Sequence, residues 1–267
     1  MRKLLTRFSR SETAWGVCAG LLVGVVLLVL IVRPDFVRSH APAFFKTPVT
    51  SSAGAQDGRG VNLAPRVVQW NQQDASSDVR YIADWIVDSR DASGLPFVIV
   101  DKKNARVYVF DANAKLRGAS PVLLGSAVGD DTVAGIGSRP IDEVLPTERT
   151  TPAGRFVGER GYNTRGEDVV WVDYDAAVSM HRVLTAHPEE KRLERLASPT
   201  NDDKRISYGC INVPVAFFEA YLQPTFAGHR AIVYVLPEIK ALDEVFGSYN
   251  VAEERGRNSA LAQKSGG

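Results

Sequence analysis

"ISYGCINVP", residues 206–214, contains Cys210, one of two cysteines in a chain of 267 residues. The other, Cys18, lies inside a long apolar run near the N-terminus, and no CxxC pair exists. A thioredoxin-like redox motif and a zinc knuckle are therefore both absent from the sequence. A lone cysteine can be a small buried hydrophobe. Its neighbours argue for more. Gly209 permits an unusual backbone angle just before the thiol, and the helix-like "PVAFFEAYL" follows at once. Backbone N–H groups left free there favour a thiolate and can receive a developing oxyanion.

A nucleophilic thiol needs a base. Of four histidines, His40 falls close after the apolar run, His229 sits in a turn, and His187 opens a charged helix. His181 differs, because it ends the apolar strand "AVSMHRV" (177–183). It is the candidate base. Ser179 shares its strand face by period-2 alternation, with Asp173 and Asp175 as further candidates for the group that orients the imidazole.

The rest of the chain is read around this pair. Lys plus Arg number 32 and Asp plus Glu 31, for a net charge of +1 without any block of one sign, which argues against a nucleic-acid partner. Residues 1–12 carry four basic side chains and form a cytoplasmic tail; residues 13–32 follow without a charge. About 20 apolar residues span a hydrocarbon core of roughly 30 Å, and the basic flank predicts an N-terminus that stays inside. A cleaved signal peptide is the competing reading, with "APA" at 41–43 as its cleavage site. The run is long for that, and "RPDFVRSH" separates it from the site, so an uncleaved single-pass anchor is expected.

Residues 33–94 read as a linker outside the cytoplasm that ends in one amphipathic helix, "SSDVRYIADWIVDSRDASG". Ser77 or Asp78 is its expected cap, Gly94 follows its end, and its apolar face is expected to pack onto what comes next. From residue 95 strand-like runs dominate: "FVIVDKK", "ARVYVFDANAKL", "SPVLLGSAVG", "TTPAGRFVGE", "DVVWVDY", "AVSMHRV" and "RAIVYVLP". "HPEEKRLERLAS", with Pro188 placed to start it, and "VPVAFFEAYLQ" read as short helices. The expectation is one compact, mainly β domain over 95–237 with few short helices. Residues 238–267 would add a helix and a polar tail, expected to be disordered from Ala252 onward.

A histidine ending a strand, then Ser-x-Gly-Cys-hydrophobic-Asn and a helix, resembles the YkuD-type L,D-transpeptidases, bacterial enzymes that remodel peptidoglycan. Ser207, Gly209, Cys210, Ile211 and Asn212 match that signature, and His181 takes the base position. The opening strands, "TPAGRF" and "AIVYVLP" extend the resemblance over about residues 95–237. Two positions depart from it. Tyr208 stands where the family usually has histidine, and residues 182–206 make a longer spacer than usual, an expected mobile, charged flap beside the site.

The resemblance implies a YkuD-like β-sandwich or barrel behind the anchor. It implies Cys210 as nucleophile and His181 as base, with Ser207, Tyr208, Gly209 and Asn212 at the oxyanion and substrate site. The imidazole in such enzymes is often oriented by a backbone carbonyl, which sequence does not assign. Peptidoglycan stem peptides would be the partner, and no metal or organic cofactor is implied. Location would be the bacterial inner membrane, with the catalytic domain in the periplasm. Water instead of an amine as acceptor would make an L,D-carboxypeptidase, and a wall-binding domain without turnover is the non-enzymatic alternative. Papain-like peptidases place cysteine before histidine, which is the reverse of the order here. The sequence carries no statement about oligomeric state.

Overall fold

The computed structural model describes residues 67–265; the expected tail (1–12), anchor (13–32) and linker as far as residue 66 lie outside the described residues. Among the described residues, no helix is long and apolar enough to cross a membrane.

The strands are β1 (Phe97–Asp101), β2 (Arg106–Phe110), β3 (Leu116–Pro121), β4 (Leu124–Gly125), β5 (Gly154–Tyr162), β6 (Asp168–Asp173), β7 (Val178–Arg182), β8 (Arg205–Ser207), β9 (Ile211–Val213) and β10 (Ala231–Val235). Eight of them form one sheet in the order β3-β2-β1-β10-β5-β6-β7-β9, and β4 pairs with β8. The last strand is not at an edge. β10 runs parallel to β1 on one side and antiparallel to β5 on the other. Just past β3, Leu123 exchanges two 2.9 Å backbone hydrogen bonds with Asn212 of β9, which draws the two ends of the sheet together. The architecture is mainly β with short helices.

Burial on both faces follows from strict alternation. Val98, Val100, Val107, Val109, Val233 and Val235 point into one core, closed by Phe217, Phe218, Leu222 and Phe226. Phe97, Ile99, Tyr108, Phe110, Ile232 and Tyr234 point into the other. That second core is closed by helix α1 (Ser77–Ser89), whose Val79, Ile82, Ala83, Trp85 and Ile86 recur at helical spacing. Its cap is Ser76, one residue before the expected pair: its hydroxyl accepts the Val79 N–H at 3.3 Å and donates to Asp101 at 2.7 Å.

Three expectations are corrected here. The compact domain begins well before residue 95. Gln69 bridges Lys115 and Val68 is buried, so residues 67–76 are not linker, and α1 packs onto the domain as its amphipathic pattern implies. The polar tail is helical over Val251–Ser265 rather than disordered from Ala252. Asn250 accepts the N–H groups of Ala252 and Glu253, while Arg255 and Tyr249 both bond Asp88 of α1. Polar caps and ion pairs stabilise it where an apolar stripe is lacking. Finally, Pro188 starts a 3-10 turn (Pro188–Glu190) and not the α-helix, because Lys191 adopts φ 49° and separates that turn from α2 (Arg192–Ala197).

Candidate active site

Parallel pairing of β7 with β9 sets His181 beside Asn212 and Met180 beside Ile211, so the loop entering β9 carries Cys210 alongside Ser179. Cys210 is a free, half-buried cysteine whose Sγ lies 3.7 Å from Ser179 Oγ and 3.6 Å from the Ala177 carbonyl oxygen. Burial works against the thiolate. Hydrogen bonding to His181, the charge on its imidazole, and the N–H and hydroxyl of Ser179 outweigh that and hold the thiol below its ordinary pKa. Burial likewise disfavours the imidazolium of His181, yet hydrogen bonding to Cys210, its charge and the Arg182 carbonyl raise that pKa. Both shifts favour an ion pair.

The group that orients the imidazole is a backbone carbonyl, as the resemblance implies, and none of the three side chains considered from sequence. His181 Nδ1 lies 2.8 Å from the backbone carbonyl oxygen of Arg182. A carbonyl only accepts, so Nδ1 carries the proton of the neutral ring and Nε2 keeps its lone pair. Ser179 touches the thiol instead, and Asp173 accepts the Ala176 N–H.

The four residues expected at the oxyanion and substrate site divide into two groups. Ser207 is buried; its hydroxyl donates to the Cys210 carbonyl at 2.6 Å and accepts the Gly209 N–H at 3.1 Å. Asn212 is buried too, with Oδ1 held by Arg192 Nη1 at 2.6 Å and Nδ2 directed at the Cys210 carbonyl (3.3 Å) and His181 Nε2 (3.5 Å). These two side chains build the loop from behind rather than facing a substrate. Because the Gly209 N–H is occupied, it is not an oxyanion donor. The N–H groups of Tyr208 and Cys210 bond no other group among the described residues. Tyr208 is exposed, with the Arg149 guanidinium 4.0 Å above its ring.

Gly209 is required by its surroundings. Its φ is +129°, and a Cβ there would stand 2.7 Å from the Thr150 carbonyl oxygen. Next to it, the fully buried Thr151 donates through Oγ1 to the Gly209 carbonyl at 2.9 Å and accepts the Gly125 N–H at 2.9 Å. "TPAGRF" thus supplies a buttress that sequence reasoning noticed as a pattern without assigning Thr151 a task. Arg192 was missed outright, since an arginine in a run of mixed charge reads as a solvated side chain. The 182–206 segment is also held down more firmly than its composition suggests: Leu196 packs with Leu123, Val183 and Ile206, and Lys204 Nζ donates to the Ser198 and Thr200 carbonyls.

Beside His181 opens a cavity of about 420 Å³, lined among others by Arg160, Tyr162, Asp168, Arg182 and Gln223. Asp168 gathers Arg182 (2.7 Å), Arg160 (3.0 Å) and Gln223 (3.3 Å), and Arg182 Nε also donates to Glu219 at 3.3 Å. Among the described residues, no group of three or more His, Cys, Asp or Glu could hold a metal ion.

No protein-family model matches the chain, and no curated protein matches it. Among solved structures it is similar to the LD transpeptidase LdtMt1 in complex with imipenem, at 15% identity and a TM-score of 0.31. The match covers 53% of this chain and 58% of that one, so the chain spans little more than half of that protein's length. At that score, the functional reading rests on the site's own geometry and on its sequence signature.

Proposed function

We propose that this chain is a cysteine-dependent acyltransferase of the L,D-transpeptidase kind, acting on peptidoglycan stem peptides outside the cytoplasm from a membrane anchor at residues 13–32. The observation that carries it is the Cys210–His181 pair, in which the Arg182 carbonyl fixes Nδ1–H and leaves Nε2 for the thiol proton. The thiol-to-imidazole proton transfer gives a thiolate that attacks the carbonyl of the L-centre of a tetrapeptide stem. Its C–S bond forms, and the bond to terminal D-alanine breaks with the imidazolium returning its proton to the leaving amine. An amine of a second stem then attacks the thioester, gives its proton to His181 and restores the thiol. The free N–H groups of Tyr208 and Cys210 suit the oxyanion at both steps. Arg160 and Arg182 in the adjoining cavity supply donors for a stem carboxylate.

The test is incubation of the full-length chain in detergent with tetrapeptide muropeptides, followed by mass analysis of products and of the protein. Loss of D-alanine with a new cross-link is the expected result. Loss of D-alanine with water added would make the enzyme an L,D-carboxypeptidase, and unchanged muropeptides would leave a wall-binding domain. Cys210→Ala should abolish any acyl adduct on the protein, and His181→Ala should slow its formation by about 10²- to 10⁴-fold.

A further inference from the structure

The charged segment between β7 and β8 enters the site through one side chain. Arg192, the first residue of α2, donates from Nη1 to Asn212 Oδ1 and from Nε to the Glu190 carboxylate, each at 2.6 Å. With Oδ1 held, the amide has only Nδ2 to offer His181 Nε2 and the Cys210 carbonyl. An NH₂ group facing Nε2 is compatible with a lone pair there and opposes a proton there. Were the amide to turn over, its oxygen would accept an Nε2–H and favour the tautomer that has no acceptor for the thiol. The Arg192 guanidinium also opposes a charge on the imidazole.

We propose that Arg192 is a positioning residue: it holds Asn212 in the one orientation that keeps His181 Nε2 a proton acceptor, and so makes the 182–206 segment part of the catalytic apparatus. This rests on Cys210 and His181 being nucleophile and base. The other charged groups about the imidazole are Cys210 itself and, around the adjoining cavity, Arg182, Arg160, Asp168 and Glu167. Arg182 is paired with Asp168 and Glu219 and Arg160 with Asp168, none of them through Arg192; the Glu190 carboxylate is the one group that loses an ion pair, and it does so in both variants.

The experiment follows Cys210 alkylation by iodoacetamide against pH in the full-length chain carrying Cys18→Ser, so that one thiol reports. Arg192→Gln removes the charge but keeps an N–H donor for Asn212 Oδ1; Arg192→Met removes both. Both should move the alkylation profile to lower pH, because the imidazolium, and with it the thiolate, persists more readily. The Met variant should move it further, since only there does Oδ1 lose its partner, leaving the 3.3 Å contact from Nδ2 to the Cys210 carbonyl as the restraint on turning. Acylation by a stem-peptide donor at neutral pH should nonetheless fall about 10- to 100-fold in the Met variant and less in the Gln variant, because a turned Asn212 Oδ1 holds the Nε2 proton that the leaving amine needs. Thermal unfolding checks that each variant folds, and Arg192→Leu replaces Arg192→Met if it does not. A Met-variant profile that superimposes on the parent overturns the proposal, as do equal shifts in the Gln and Met variants. An ordinary thiol profile in the parent overturns the nucleophile reading instead, whatever Arg192 does.

Discussion

Thr151 and Gly209 are joined by a buried hydrogen bond, 2.9 Å from the threonine hydroxyl to the glycine carbonyl oxygen, and the same hydroxyl accepts the Gly125 N–H. One side chain thus ties the β4 strand and the thiol loop together. Thr151→Val keeps the shape and deletes both bonds, leaving a buried donor and a buried acceptor unpaired. We expect a loss of about 2–4 kcal/mol in urea unfolding. Cys210 acylation should also slow, because the loop that aims the thiol is no longer held. A variant as stable as the parent would show that Thr151 only fills space.

Gly209→Ala should be more damaging to chemistry than to folding. At φ +129° an alanine is strained, by roughly 1–3 kcal/mol, and its Cβ meets the Thr150 carbonyl at 2.7 Å. Relief requires the loop to move, which displaces the Tyr208 and Cys210 N–H groups. Adduct formation followed by intact mass should drop about 10²-fold, while circular dichroism still shows the β-sheet spectrum.

Acid should expose a second buried network. Asp130 accepts Lys102 Nζ at 2.7 Å and the N–H groups of Glu238, Ile239 and Lys240 at 2.7–2.8 Å. Burial pushes its carboxyl up, but the ammonium and those three N–H groups win and carry it from 3.8 down to about 2. Because the folded value is the depressed one, the stabilisation is complete above the ordinary carboxylate pKa and is lost as pH falls toward 2. A contribution of roughly 2 kcal/mol should disappear over that window in pH-dependent unfolding. Asp130→Asn should flatten the acid limb and cost about 3 kcal/mol at neutral pH, since Lys102 keeps only Glu238, at 3.6 Å, as a charged partner.

Topology is tested by a fusion. A reporter active only outside the cytoplasm, joined after Val61, should be active, and the intact mass should retain the residues before Phe44. An inactive reporter removes the anchor, and a mature chain beginning near Phe44 shows a cleaved signal peptide.

Local pattern made much of this architecture readable, and long-range pairing hid the remainder. The β1–β2 hairpin was legible because two β-rich runs flank the polar turn Asp101–Asn104, and α1 was legible from its spacing of apolar residues. The place of "AIVYV" between β1 and β5 was not, since a parallel partner more than a hundred residues away leaves no local trace. Cys210 and His181 could be paired on paper because strand-end histidine and Gly-Cys are both uncommon contexts. Arg192, Thr151 and the Arg182 carbonyl could not. A guanidinium in "EEKRLER", a threonine before proline and a main-chain oxygen look ordinary until tertiary structure brings them to the thiol.

The central position of β10 has a consequence for how the protein is made. Phe97 pairs with Ile232, so the middle of the sheet stays unpaired until Ala231–Val235 has been synthesised. Such distant pairing raises contact order and slows folding. During translation one backbone edge of β1 waits for its neighbour, and the thiol loop at residues 208–210 is complete in sequence before the sheet beneath it can close. A nascent chain released short of Ala231 should therefore be protease-sensitive throughout, with no stable N-terminal half to rescue it.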